Sequence, residues 1–144
     1  MNSFTDRVVK FFRLPGRERL LLVQAWLLLL LADLALRLFK FSTVLRFFHP
    51  VCGAPATNPS CSVSTIVRLV ETAGRFCPAG TSCLKEALVL SRLLAQRGIP
   101  ATLRIGVADQ AGSFAAHAWM EQDGQVVLGA GNVSAYTPLL SRHS

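Results

Sequence analysis

Residues 80–129, GTSCLKEALVLSRLLAQRGIPATLRIGVADQAGSFAAHAWMEQDGQVVLG, hold one helix and the strands that follow it. Thr81 and Ser82 are capping residues, and after Cys83 the residues Leu84, Ala87, Leu88, Leu94 and Ala95 recur at helical spacing, with Ser91 the one small polar exception. The spacing predicts a helix over Cys83 to Gln96. Gly98 supplies a left-handed stop, and Pro100 prevents the helix from resuming. In ATLRIGVA, Leu103, Ile105 and Val107 alternate with Thr102, Arg104 and Gly106, the pattern of a half-buried strand. DQAGS then reads as a loop, and FAAHAWME as a second strand with His117, Trp119 and Glu121 on one face. QDG makes a turn into a third strand, QVVLG. A helix followed by an antiparallel meander of at least three strands is an α+β fold.

The N-terminal half is different in kind. RERLLLVQAWLLLLLADLALRLFKF, from Arg17, resembles a membrane span, but a span needs about 20 consecutive apolar residues, and Gln24 and Asp33 interrupt this run. Asp33 and Arg37 also stand where a signal peptide would carry its small-residue cleavage site. The preferred reading is a helix buried by the rest of the domain; basic residues on both flanks make a peripheral membrane contact the alternative. Pro15-Gly16 separates this helix from a short amphipathic segment, Phe4 to Leu14, and a second break falls at His49-Pro50. VCGAPATNPSCSVS reads as loop, and a helix follows with Ile66, Val67, Val70 and Ala73 on one face, ending at Gly74. No linker is long enough to separate two units. The expectation is one domain over 1–144, with a Leu-rich helical part (1–50) packed with a catalytic helix and a small antiparallel sheet (77–140).

The chain carries a net charge of +7, with Arg7, Lys10, Arg13, Arg17, Arg19, Arg37, Lys40 and Arg46 crowding its first third. Such a surface suits an acidic peptide, a partner protein or a lipid surface. It does not suit nucleic acid, since no binding motif or aromatic interleaving accompanies the charge. The cysteines Cys52, Cys61, Cys77 and Cys83 form no CxxC pair and fit no common zinc spacing, so no metal is expected. Reduced thiols and a cytoplasmic location are the default for such a chain.

The element order gives Cys83 a chemistry. A thiol in the first turn of a helix feels the positive end of the helix dipole, which favours the thiolate. A histidine on a following strand can take the proton and later return it to a leaving amine. Cys83 and His117 in this order match the arrangement of papain-like and transglutaminase-like enzymes. The backbone N–H of Cys83 would supply half of an oxyanion hole. Trp119 either walls the cleft or belongs to the core. His49 and His143 are read as solvated, and Cys77 as a packed thiol.

The series CLKEALVLSRLLAQRGIPATLRIGV, FAAHAWMEQDGQVVLG and YTPL resembles the leader-peptidase part of the lasso peptide biosynthesis B protein, over about Cys77 to Leu139. That family has a Cys-Leu helix start, a strand ending in Ile-Gly-Val, and then AHAW-E. The resemblance implies a transglutaminase-like cysteine protease, without cofactor, that removes the leader from a ribosomally made precursor peptide before a macrolactam cyclase acts. It also implies the split form, which works with a separate leader-recognition protein, and the basic N-terminal surface is a candidate docking site for it. Two other classes remain alongside: a non-catalytic scaffold presenting precursor to the cyclase, and a membrane-attached acyltransferase or amidase using the same pair.

The resemblance further implies an acid in the strand after the histidine. If QDG is a three-residue hairpin loop, Glu121 pairs with Gln125 and the residue opposite His117 is Gly129, which has no side chain. Three readings fit. A backbone carbonyl or water orients the imidazole of a Cys-His dyad, which is the preferred one; Asn132 or Asp109 orients it; or the enzyme is weakened. Asp123 belongs to the turn, and Glu121 lies about 13 Å along the strand from His117.

Overall fold

Ser82 starts the helix that organises the domain. Its extended backbone and its hydroxyl, which accepts from Lys85 N–H, cap a helix over Cys83–Ala95. In the computed structural model, which describes residues 12–48, 61–131 and 133–143, this helix is α4. It follows α1 (Gly16–Leu38), α2 (Phe41–Phe48) and α3 (Val63–Arg75). Strands β1 (Thr102–Gln110), β2 (Ser113–Gln122), β3 (Gln125–Leu128) and β4 (Thr137–His143) complete the fold, with a short 3-10 turn at Val133–Ala135. The expected α+β class is observed: helices on one side of a small antiparallel sheet of order β3-β2-β1-β4.

The core lies between the helices and one sheet face. Leu29 of α1, Phe48 of α2, Ile66 and Val70 of α3, and Leu88 of α4 pack with Leu103, Ala118, Met120 and Leu128 of the sheet. Truncating one of the large members to Ala costs about 2–5 kcal/mol. In α3 the buried face uses Leu69 with Ile66, Val70 and Ala73, while Val67 is only half-buried.

The structure corrects three expectations about the elements and adds a strand to the three expected as a minimum. The long apolar helix ends at Leu38, and Phe41–Phe48 is a separate helix, although no Gly or Pro marks the break. The long helix is also not buried all round: Leu21, Ala25, Leu29 and Ala32 face the core, while Leu20, Leu27, Leu34 and Leu38 are exposed. The loop expected at DQAGS shrinks to two residues, Ala111 and Gly112, at φ 53° and 83°, with Gln110 paired to Ser113. Finally, a fourth strand, β4, pairs with β1, so that His143 is part of the ladder opposite Thr102. Phe4 to Phe11, the His49-Pro50 break and most of the loop after it lie outside the described residues.

The β2–β3 hairpin also departs from the expected register. Asp123 and Gly124 both have positive φ, 50° and 78°, as a two-residue type I′ turn requires. Gln122 therefore pairs with Gln125 and Glu121 with Val126; the register then shifts, and Met120 pairs with Leu128. Val127 is the extra residue of a β-bulge.

Candidate active site

Cys83 is the first residue of α4 and half-buried, packed against the core. Ser82 takes the N–H of Lys85, and Glu86 N–H bonds the Ser82 carbonyl. The N–H groups of Cys83 and Leu84 have no carbonyl four residues back within the helix to bond, so they point out of its N-terminus beside the thiol. That is the geometry of an anion-stabilising end.

The mouth of α4 is pinned from α1. Asp33 Oδ1 lies 2.6 Å from Lys85 Nζ, both side chains being only 15% exposed, and Asp33 Oδ2 accepts from Arg37 at 2.9 Å. Lys85 Nζ also donates to the Gly80 carbonyl at 3.3 Å, which ties down the loop that leads to Cys83. The acid that interrupts the apolar run thus anchors the helix that carries the thiol. The Lys85 hydrogen bond, with Arg37 assisting, holds the Asp33 carboxyl below its ordinary value. On the next turn, Thr81 Oγ1 donates to Glu86 Oε1 at 3.2 Å, and the Glu86 side chain fills the space above Gly74. Burial pushes the Glu86 carboxyl up, against the pull of Thr81.

His117 sits on β2, the strand on which α4 packs. Its neighbours Ala118 and Met120 belong to the core between sheet and helices. His117, Trp119 and Glu121 share the other face, as the alternation predicts. The His117 and Trp119 rings stack at 6.0 Å with 20° between their planes, and the Tyr136 ring lies 5.3 Å from His117, tilted by 40°. His117 Nε2 is 2.8 Å from Gly129 O. A carbonyl oxygen can only accept, so Nε2 carries the proton and, in the neutral ring, Nδ1 holds the free lone pair. Nδ1 is then the free base of the ring, and it stands on the sheet face away from the helices, with no hydrogen bond to Cys83 among the described residues.

Gly129 cannot carry the acid that the family pattern leads one to expect. Its φ is +76°, and a Cβ there would stand 2.9 Å from the Ala118 carbonyl and 3.1 Å from Trp119 Cβ. Because of the turn and the bulge, Gly129 lies beyond the end of β3, beside Trp119, rather than in the ladder opposite His117. Its carbonyl nevertheless reaches the imidazole, as a backbone orienting group.

The other candidates fall elsewhere. Asp109 does not meet the imidazole: its Oδ1 accepts from Gly112 N–H at 3.1 Å and shapes the β1–β2 turn. Asn132 lies outside the described residues. Trp119 is 2% exposed, so it does not wall an open cleft; it is a platform behind His117, with Nε1–H donating to Glu121 Oε1 at 2.8 Å. Glu121 Oε2 in turn accepts from Arg104 Nε at 2.7 Å, and Arg104 also reaches Ser141 on β4. Burial pushes the Glu121 carboxyl up, but Trp119 and Arg104 outweigh it and hold it below its ordinary value. Cys77 is buried in the core. Among the described residues, no group of three His, Cys, Asp or Glu is placed to hold a metal ion.

Residues 26–141 match the transglutaminase-like superfamily. The chain belongs to the transglutaminase-like superfamily. Its fold is one that typically carries cysteine-protease or acyltransferase chemistry. No curated protein and no solved structure gives a significant match. Within this transglutaminase-like domain, two participants had no signal in the sequence: the Gly129 carbonyl, which any residue type possesses, and Tyr136, brought to His117 by the turn before β4. The Arg104–Glu121 pair had one, since an Arg on one strand and a Glu on the adjoining strand share a face.

Proposed function

We propose that this chain is a cysteine peptidase that removes the leader from a ribosomally made lasso precursor, with a separate leader-recognition protein and a macrolactam cyclase as its partners in the cytoplasm. The observation that carries the reading is the His117 Nε2–Gly129 O bond, which leaves Nδ1 as the free base of the ring; its pairing with Cys83 is what the reading adds, since His117 stands on the sheet face away from the helices. The family-specific motifs around both residues support the substrate class.

In this reading, which requires the imidazole to reach the mouth of α4, Nδ1 takes the Cys83 proton and the thiolate attacks the carbonyl at the leader's end. The resulting oxyanion is met by the N–H groups at the α4 terminus. As the tetrahedral adduct collapses, the C–N bond breaks and the imidazolium gives its proton to the departing core-peptide amine. A thioester joins the leader to Cys83. Water, deprotonated by the same Nδ1, then releases the leader as a carboxylate and restores the thiol. The Gly129 carbonyl holds the ring and accepts from Nε2–H throughout; it stabilises the imidazolium less than a carboxylate would, because it carries no net charge.

The test is leader cleavage by the full chain, supplied with precursor and recognition protein, for Cys83→Ala and His117→Ala. Each variant should lose at least a thousandfold in rate while retaining a cooperative melt. Cleavage by either variant at the parent rate sinks the assignment. Rapid alkylation of Cys83 that disappears in His117→Ala distinguishes this peptidase from a non-catalytic scaffold.

A further inference from the structure

Helix α1 carries an apolar stripe on the side away from the core. Leu20, Val23, Leu27, Leu31, Leu34 and Leu38 are each between 41% and 72% exposed. At helical periodicity they fall within an arc of roughly 80°, and from first to last they run about 27 Å along the axis. Near its C-terminal end the stripe opens into a groove of about 230 Å³ between α1 and α2, lined by Leu31, Ala35, Phe39, Thr43, Val44 and Phe47. Phe39, Phe41 and Phe47 are themselves exposed there. A contiguous apolar surface of this length marks an interaction site.

The charges around the stripe indicate its occupant. Arg13 and Arg17 are exposed at one end, and Arg37, Lys40 and Arg46 at the other. The acids of α1 are engaged on the domain side, Glu18 with Arg68 and Asp33 with Lys85 and Arg37. The rim of the stripe is therefore positive, which opposes a second copy of the same surface. Nor does α1 cross a bilayer in this fold. Although it is long and apolar enough to do so, its inner face is held by Gln24 to Gln96, Trp26 to the Phe76 carbonyl, and Asp33 to Lys85.

We propose that α1 lies in the plane of an anionic lipid surface, with its leucine stripe and the α1–α2 groove sunk among the acyl chains and the flanking Arg and Lys at the headgroups. An apolar face bordered by cations, on a helix whose other face is occupied, is the design of an interfacial helix. The proposal stands independently of the peptidase reading.

Flotation of the full chain tests it, with vesicles of phosphatidylcholine alone and of phosphatidylcholine mixed with phosphatidylglycerol. The chain should partition onto the anionic vesicles at least about tenfold more than onto the neutral ones, and less as salt is raised. Leu27→Gln with Leu31→Gln should lower that partition by about tenfold or more while leaving the melting temperature unchanged, since both sites are exposed. Arg17→Gln with Lys40→Gln should lower it by a similar factor on anionic vesicles only. Absence of the wild-type chain from anionic vesicles overturns the proposal, as does equal binding to neutral ones or indifference to the leucine changes. A dimer in lipid-free sedimentation that the leucine changes dissociate would assign the face to a second copy instead, and would equally overturn it.

Discussion

His117 Nε2 donates to the Gly129 carbonyl at 2.8 Å, so a backbone oxygen occupies the place of an acidic side chain in orienting the imidazole. The residue that supplies this oxygen is held at φ +76°, against the Ala118 carbonyl and the flank of Trp119. The absence of an acid at this point is therefore built into the backbone.

Replacing Gly129 should harm both fold and site. Gly129→Ala forces a Cβ into the left-handed region and a 2.9 Å approach, costing about 1–3 kcal/mol. The melting temperature should fall by several degrees. Gly129→Asp should fare no better and should not raise the rate of leader cleavage. A stable and faster Asp variant would show that the carbonyl is a poor substitute and not a constrained solution.

Two carboxylates make the domain acid-sensitive. Asp33, through its hydrogen bond with Lys85, and Glu121, against its burial and through Trp119 and Arg104, have folded values below their ordinary ones. Their contribution to stability is present above the unfolded-state value and is lost as pH falls through the folded one. Urea midpoints should therefore drop below about pH 4. Asp33→Asn should be less stable than the parent at pH 7, with the gap closing in acid. A gap independent of pH would remove the ion pair with Lys85 as its cause.

Glu86 should behave in the opposite sense. Its carboxyl is raised by burial, so its favourable contribution is full below the unfolded-state value and is lost as pH rises through the folded one. Glu86→Gln, which keeps the shape and the Thr81 contact, should be more stable than the parent at pH 8 and no more stable near pH 4. Thermal melts at the two pH values decide it; a Gln variant less stable at pH 8 contradicts the assignment.

Trp119 should matter through what it positions. Trp119→Phe keeps a ring behind His117 but removes the donor to Glu121 Oε1, leaving a half-buried carboxylate with one partner fewer, at about 1–3 kcal/mol. Cleavage should slow by about tenfold, chiefly in kcat, if the stacked ring sets the imidazole angle. Glu121→Gln, which retains the ring and can still accept from Trp119, should slow it less. Equal losses in the two variants would mean general destabilisation and not positioning.

Local pattern made much of the domain legible. Ser82, the apolar spacing after Cys83 and the stop at Gly98 fixed α4 to within a residue, and the alternation around Ile105 and His117 fixed two strands and the faces of their side chains. β4 was not legible because Pro138 argues against a strand; it is tolerated because β4 is an edge strand of the sheet. The loops expected at 109–113 and 122–124 became two-residue turns because Ala111 and Asp123 accept positive φ, a choice that residue identity permits but does not dictate.

By itself the sequence determined the helix with a cysteine at its mouth, the strand with a histidine on it, and the order that makes the two a candidate pair. These follow from periodicity and capping, which act over a few residues. Only the tertiary structure decided that Asp33 anchors the mouth of α4, that Gly129 answers His117 with its carbonyl, and that half of α1 stays uncovered. Those outcomes depend on backbone register and on which surfaces meet, and a carbonyl or an unoccupied face leaves no mark in residue type.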